Sequence, residues 1–347
     1  MGAFGRWIAT RVPVRGEQLR ELTNEPVPYH LKRWWFCLGG TPAFLFGVQI
    51  ATGIMLAVYY QPSASAAYES IEHVTNHVSY GWYLRSLHKW GATLMIAAVV
   101  LHQMRVYFTG AYRCPRELNW MIGMCLLVTT LVLGFTGYSL VYEQLSYWGA
   151  TVGANIGARV PVAGGLLKTA LLGGNEYNER TLSRLYVLHV AVLPAFMCAL
   201  LVLHIALLRL HGVAEIAPAP PGEPPTFNFF PDHLLTELMV GLSLMILLSA
   251  LACIHPATMG PPADPLSTPD AIKPEWYFYV TFRWLKLFSG TFAVLSLGFV
   301  LFAMFAWPFV DAALERVLPR REASVWIGVV AVLTIVGFTL WEAIVAH

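Results

Sequence analysis

The segment RSLHKWGATLMIAAVVLHQMRVYFTGAYRCPRELNW, residues 85–120, holds two histidines inside one apolar run. His88 and His102 lie in a stretch long enough to cross a bilayer as a helix, which takes about 20 residues. A second run, LSRLYVLHVAVLPAFMCALLVLHIALLR at 182–209, contains His189 and His204 in the same way. Ligating side chains inside membrane spans are costly, so they indicate a functional site.

The spacing of these histidines predicts two stacked metal centres. His88 and His102 are 14 residues apart, and His189 and His204 are 15 apart. On a helix each pair falls within roughly 40–60° of one face and about 21–22 Å apart along it. Two antiparallel helices of this kind can supply both axial imidazoles to two haem irons. Core histidines bonded to neighbouring backbone are the alternative, and the matched spacing on two helices favours ligation.

Glycines repeat with the same period on two other spans. Gly39 and Gly53 are 14 residues apart, as are Gly123 and Gly137. A porphyrin face needs close backbone approach, which glycine permits because it has no side chain. Ordinary helix packing is the alternative, since glycine is common in membrane helices. The shared period favours contact with haem.

The composition predicts an all-α integral membrane protein. Of 347 residues, 57% are hydrophobic and 12% are charged, about half the charged fraction of soluble domains. Seven transmembrane helices are expected, the first four forming a diheme bundle and the last three a C-terminal part. The expected spans are 35–60, 83–108, 118–141, 184–208, 234–254, 290–310 and 324–345.

Basic residues predict the orientation. Thirteen of the 22 Lys and Arg residues lie on the side that holds the N-terminus, which is therefore expected to be cytoplasmic. We expect a bacterial cytoplasmic membrane and no removable signal peptide. The net charge of +2 gives no reason to expect a nucleic-acid partner.

Linker composition predicts the domain boundaries. The stretch APAPPGEPP at 217–225 is typical of an extended linker. Five cysteines without a CxxC pair do not suggest a disulfide framework. We expect an N-terminal surface segment at 1–33, a four-helix domain at 34–215, a Pro-rich linker at 216–231 and a three-helix domain at 232–347.

With the two histidine segments, LGFTGYSL (133–140) and MGPPADPLSTPDAIKPEWYF (259–278) make the sequence resemble cytochrome b of cytochrome bc complexes. The resemblance covers nearly all of the chain after residue 24. It is greatest to the cytochrome b6f and Gram-positive branch, because of the 15-residue histidine interval, Arg209 five residues after His204, and Cys37 in FCLGG. In that branch a four-helix cytochrome b6 and a three-helix subunit IV are usually separate chains. Here they look fused.

The resemblance implies two haem b groups. His88 and His189 would ligate the lower-potential haem on the outer side, and His102 and His204 the higher-potential haem on the cytoplasmic side.

Four basic residues would pair with the haem propionates, or else reach toward lipid headgroups. Arg85 and Lys89 are near the outer haem, and Arg105 and Arg209 are near the inner one. Lys89 stands where this branch usually has Arg, so it keeps the charge and loses the two-pronged guanidinium.

The resemblance also implies a quinol-oxidation site at Pro274, Glu275, Trp276 and Tyr277. Glu275 would accept a proton from the quinol, and Tyr277 would contact the substrate or an iron–sulfur partner. The sequence departs from the family at Val141 and Tyr142, which replace a usual Pro-Trp. That change leaves the quinone preference and the partner's docking surface open.

Two further assignments concern the cytoplasmic side. Cys37 is expected to bind a third haem, a haem c, through one thioether, with a buried structural thiol as the alternative. Asp232 and His233 are expected to relay protons to a quinone, with helix capping as the alternative for Asp232.

The implied function is bifurcated quinol oxidation outside, electron transfer across the membrane, quinone reduction inside, and proton translocation. The implied partners are a Rieske iron–sulfur protein, a c-type cytochrome or another soluble acceptor, and a second copy of the complex in the lipid membrane. One alternative is a diheme quinone-linked anchor of another oxidoreductase. Another is a non-redox interaction protein or channel without haems.

Overall fold

A computed structural model describes residues 26–174, 176–288, 290–318 and 322–345. The fold is helical, with one two-stranded sheet of β1 (Pro26–Pro28) and β2 (Thr226–Asn228) in the described residues. The helices are α1 (Gly40–Ala57), α2 (Ala67–His77), α3 (Gly81–Thr109), α4 (Glu117–Ser139), α5 (Gln144–Gly157), α6 (Gly164–Leu172), α7 (Glu179–His211), α8 (Leu234–Ile254), α9 (Tyr279–Leu287), α10 (Gly290–Phe305), α11 (Trp307–Val317) and α12 (Glu322–Ile344).

Among the described residues, six helices are long and apolar enough to cross a membrane: α1 with the turn before it, α3, α4, α7, α8 and α12. The expected span at 290–310 is not one straight helix. Helix α10 ends at Phe305, and α11 leaves it at an angle of 75°. The number of spans is seven if this bent pair is counted as one.

Pro308 explains the break between α10 and α11. Proline lacks the backbone N–H that would bond to the carbonyl four residues earlier. In this helix that carbonyl belongs to Met304, and it accepts a hydrogen bond from the Trp120 indole at 2.8 Å instead. The carbonyl that Pro308 cannot bond therefore has another partner.

A buried carboxylate holds α11 in place. Asp311 accepts a hydrogen bond from the Tyr112 hydroxyl at 2.9 Å and pairs with the Arg113 guanidinium at 2.9 Å. Both partners belong to the connection between α3 and α4. The bent segment is thus fixed to the four-helix part by charge as well as by packing.

The bundle core is shared by four helices. Leu45 of α1, Met95 of α3, Met197 of α7 and Leu248 of α8 belong to one cluster of buried apolar side chains. The first helix after the linker therefore packs into the same core as the helices before it. The domain boundaries stay a prediction.

Helix α7 has a wide turn where His189 lies. The turn Leu188–Val192 is a π-helix, in which the N–H of Leu193 donates to the carbonyl of Leu188, five residues back. Pro194, just after it, cannot continue the regular bonding pattern. Such single wide turns are frequent at functional sites.

Candidate functional site: two histidine pairs and an outer loop

The four histidines form two pairs between α3 and α7. The ring centroids of His88 and His189 are 6.4 Å apart, and those of His102 and His204 are 6.5 Å apart. A metal–imidazole bond is about 2 Å long. Each ligating nitrogen is also about 1.2 Å from the centre of its own imidazole ring. Two imidazoles on opposite sides of one metal ion therefore have ring centres about 6.4 Å apart. Both pairs therefore fit one metal ion held between two imidazoles.

Each of the four period-14 glycines lies against one histidine ring. A Cβ added to Gly53 would lie 3.2 Å from the nearest atom of His88, and one added to Gly137 would lie 2.6 Å from His189. The corresponding distances at the other pair are 3.7 Å from Gly39 to His102 and 3.6 Å from Gly123 to His204. A side chain at Gly137 would displace His189, and the three other contacts are less tight.

Two threonines that the sequence analysis missed bond the outer pair. The distance between His88 Nδ1 and Thr52 Oγ1 is 2.8 Å, and that between His189 Nδ1 and Thr136 Oγ1 is 3.0 Å. Each threonine directly precedes a glycine of the repeat. Thr-Gly at 52–53 and again at 136–137 is a signal that the sequence contained.

A glutamine adds a third contact to the outer pair. Gln49 lies one turn before Thr52 on α1 and donates to the backbone carbonyl of His88 at 3.1 Å. Its amide occupies the space where a side chain at position 91 would lie, and Gly91 leaves that space open. Helix α1 therefore holds both the ring and the backbone of His88.

The basic residues near the outer pair have other contacts. Arg85 donates to the carbonyls of Ala257 and Thr258 at 2.8 and 2.9 Å. Lys89 lines a cavity of about 380 Å³ together with Trp90 and residues 254–258. Arg85 thus bonds the loop after α8 to the second turn of α3. Propionate pairing stays a prediction for both residues.

The basic residues near the inner pair lie over aromatic rings. Arg105 is 5.8 Å from the centre of the Phe36 ring, and its Nη2 is 3.5 Å from His102 Nδ1. Arg209 lies 5.9 Å from the centre of the Phe229 ring. Arg105 therefore places a positive charge beside His102, and propionate pairing stays a prediction for Arg105 and Arg209.

The 274–277 segment packs against α4 near the end that carries Gly137. The Tyr277 hydroxyl lies 3.1 Å from the position that a Cβ on Gly134 would take. The half-buried Glu275 acts electrostatically on both Tyr277 and Tyr138. Burial, followed by the charge of Glu275, raises the pKa of Tyr277 well above its usual range. Tyr277 therefore stays protonated and able to donate a hydrogen bond at neutral pH.

Trp276 and Pro274 flank these two side chains. Trp276 is exposed and lies edge-on to Tyr277, with the ring centroids 5.7 Å apart. Pro274 is half-buried in the extended chain before the turn Trp276–Phe278. The structure thus brings Glu275 and Tyr277 together with Tyr138, a residue that the sequence analysis did not single out.

The departure from the family pattern forms a clamp on the outer loop. The carbonyl of Tyr142 accepts from the N–H of Ala263 at 3.2 Å, and the Glu143 carboxylate accepts from the N–H of Gly260 at 2.6 Å. Val141 precedes this clamp at the end of α4. The loop that carries Glu275 is therefore bonded to the segment that replaces Pro-Trp.

The structure brings the residues that were expected at a cytoplasmic quinone site only partly together. His233 is 7% exposed, and its Nε2 lies 3.3 Å from Oε1 of Glu237. The neighbouring Asp232 is exposed. The Glu237 carboxylate packs onto Gly40 at the start of α1, where a side chain would collide with it. Glu237, four residues after His233, is a candidate that sequence reasoning missed.

Cys37 is buried in the turn Trp34–Gly39 that leads into α1. The residue is 1% exposed. It lies two residues before Gly39, the glycine that faces His102. This position is next to the inner pair, and the thioether itself stays a prediction.

Comparison with known proteins gives a consistent result. The family model described as Cytochrome b/b6/petB matches residues 22–212, and the one described as Cytochrome b(C-terminal)/b6/petD matches residues 262–345. Cytochrome b6 of Heliomicrobium gestii is 46% identical over 210 residues, which are 60% of this chain and 99% of that protein.

Two similarities extend over most of the chain. The cytochrome bc complex cytochrome b subunit of Chlorobaculum thiosulfatiphilum is 36% identical over 317 residues, covering 89% of this chain and 74% of that one. A chain from a structure titled Hyperthermophilic respiratory Complex III superposes with a TM-score of 0.86 at 26% identity. That match covers 99% of this chain and 92% of the other.

Proposed function

The chain belongs to the cytochrome b/b6 family, and on that premise we propose that it oxidises quinol outside and reduces quinone inside as the diheme subunit of a quinol:cytochrome c oxidoreductase. It is an integral membrane protein and the cytochrome b of a bc-type complex. The observation that carries the proposed quinol and quinone chemistry is the geometry of the two histidine pairs. In each pair the ring centroids are as far apart as two imidazoles that bind one metal ion.

The family binds two b haems and quinone. His88 and His189 would hold the outer haem, and His102 and His204 the inner one. When bound, these haems carry electrons across the membrane. The chain contributes the ligands, the glycine surfaces and the dry apolar surroundings, which are among a protein's means of setting a haem's potential.

At the outer site the chain removes protons from the substrate. Glu275 is half-buried beside Tyr277, so it can accept a proton from a quinol hydroxyl and release it to water outside. Tyr277 keeps its own proton and can donate a hydrogen bond that orients a quinol oxygen. The clamp at Glu143 and Gly260 holds this loop against α4.

At the inner site the chain supplies protons. The buried His233 and the half-buried Glu237 lie 3.3 Å apart at the start of α8, and the exposed Asp232 next to them faces water. Protons would pass from solvent through Asp232 to His233 and then to a quinone. Arg209 adds a positive charge that favours the reduced, anionic substrate.

The proposal includes partners and orientation. A Rieske iron–sulfur protein would dock on the outer loops, a c-type cytochrome or other soluble acceptor would take its electron, and two copies of the complex would pair. The N-terminus would face the cytoplasm of a bacterium. The 262–345 match supports a quinol-oxidising cytochrome over the diheme anchor of a different enzyme.

A redox difference spectrum of the purified chain tests the core of this proposal. We expect two low-spin b haems per polypeptide, reduced by quinol at different potentials. A chain without b-haem absorbance would overturn the proposal and favour a non-redox interaction protein or channel.

Replacing Glu275 with Gln is expected to slow quinol oxidation by about 10²–10⁴-fold, the usual contribution of a general base. The amide keeps the size of the side chain and cannot take the proton, so the pH dependence of turnover should also change. Steady-state quinol oxidation from pH 5 to 9 measures both effects, and optical spectra should show both b haems retained. Glu176→Gln, at an exposed glutamate on the same side, is the control. Turnover equal to wild type would remove Glu275 from this role.

Cys37 is expected to retain one haem after denaturation and acid–acetone extraction, which removes b haems. A single thioether needs one thiol, so the lack of a CxxCH motif is no obstacle. A haem stain on a denaturing gel should show one peroxidase-active band, absent in Cys37→Ser and present in Cys198→Ser. If chain isolated from its native membrane shows no stained band, Cys37 is a structural thiol and the two-haem assignment is unaffected.

A further inference from the structure

We propose that Thr52 and Thr136 fix the tautomer of both outer histidines and lower the reduction potential of the outer b haem relative to the inner one. The inference rests on the proposed ligation by the two histidine pairs. It assigns a function to two side chains that touch the ligands and would not touch the metal.

The hydroxyl protons of both threonines are already used. Thr52 Oγ1 donates to the carbonyl of Val48 at 2.7 Å, and Thr136 Oγ1 donates to the carbonyl of Val132 at 2.9 Å. A hydroxyl has one proton, so toward the imidazole each oxygen can only accept. His88 and His189 must therefore carry their proton on Nδ1 and present the Nε2 lone pair to the metal position.

The inner pair has a different environment. The side-chain neighbour of His102 Nδ1 is the guanidinium of Arg105, a donor with positive charge, at 3.5 Å. His204 has the backbone carbonyl of Asn119 as its hydrogen-bonding neighbour, and in the described part of the chain no hydroxyl bonds to its Nδ1. The inner glycines are preceded by Leu38 and Ile122, where the outer ones are preceded by threonine.

This difference between the histidine pairs lowers the reduction potential of the outer haem relative to that of the inner haem. A ligand imidazole that donates its other N–H to an acceptor becomes a more basic ligand, and a more basic ligand favours the oxidised, more positive metal. Each outer ring has a hydroxyl acceptor, whereas in the inner pair His204 has the Asn119 carbonyl and His102 faces the positive charge of Arg105. The outer potential is therefore lowered relative to the inner potential. The resulting order favours electron flow from the outer side to the inner side.

The test uses Thr52→Val and Thr136→Val, which keep the branched shape and remove the hydroxyl acceptor; the Leu133 carbonyl stays beside His189, so the larger shift is expected for Thr52→Val. A potentiometric titration of the purified complex should show the outer haem shifted to higher potential in each variant and further in the double variant. The inner potential should not change. Thr52→Ser and Thr136→Ser, which restore the hydroxyl, should return the outer potential toward wild type. Low-spin ferric EPR signals should change for the outer haem alone.

Thr130→Val is the matched control. Thr130 lies on the same helix as Thr136 and makes the same bond, to the carbonyl of Leu126 at 2.8 Å, without touching a histidine. An unchanged outer potential in both valine variants, with both haems present, would overturn the inference and leave the proposed function standing. If a valine variant lost the outer haem, recovery in the serine variant would support the inference and failure to recover would overturn it. Absence of b haems from the wild-type chain would instead contradict the proposed function.

Discussion

Replacing His88 or His189 with Ala is expected to remove the outer b haem and leave the inner one, so that half of the b-haem content is lost. His102→Ala and His204→Ala should remove the inner haem in the same way. Each imidazole faces a single partner at a separation that fits one metal ion between them. The two pairs use different turns of α3 and α7, so loss of one pair should not displace the other.

Pyridine haemochrome assay and a low-temperature difference spectrum measure this result, since the two haems are expected to differ in potential and in the position of their absorbance bands. His73→Ala is the control, because His73 is an exposed histidine of α2 on the same outer side. Two low-spin b haems in any one of the four ligand variants would refute the ligand assignment for that residue.

The histidine and glycine positions could be predicted from the sequence because a helix converts spacing into direction. Intervals of 14 and 15 residues place side chains on one face whatever the rest of the fold does. The structure accordingly brings His88 to His189 and His102 to His204, and sets Gly53 and Gly137 against the outer rings. Helical geometry was enough to predict the shared faces and the spacing, and the resemblance to cytochrome b implied which histidine pairs with which.

The contacts between helices could not be predicted in this way. Thr52 reaches His88 only because α1 packs on α3 in one register, and no periodicity within α1 shows that register. Likewise, Arg85 bonds to the carbonyls of Ala257 and Thr258, far along the chain. The 75° bend after Phe305 had a local signal, Pro308, but hydropathy alone hid it within an apolar stretch.

Glu342→Ala is expected to cost about 3–5 kcal/mol of stability, the usual effect of breaking a buried ion pair from one side. Glu342 is 0% exposed near the end of α12. Its carboxylate lies 3.1 Å from both the Arg283 Nε and the Lys286 Nζ of α9. Arg283 is also buried, with its guanidinium 4.3 Å from the centre of the Trp341 ring. Removing the carboxylate therefore leaves a buried positive charge without its counter-ion.

The Glu342→Ala change should also affect the proposed quinol-oxidation site, because α9 begins two residues after Tyr277. Thermal unfolding in detergent should show a lower midpoint for Glu342→Ala, and quinol oxidation should fall while both b haems stay bound. Glu322→Ala is the control, since Glu322 is an exposed carboxylate on the same helix. The double variant Arg283→Met with Glu342→Met should recover much of the lost stability, because it leaves no unpaired buried charge on Arg283. If the double variant were no more stable than Glu342→Ala, the loss would come from packing around α12, and the ion pair would not be what holds α9 and the quinol loop in place.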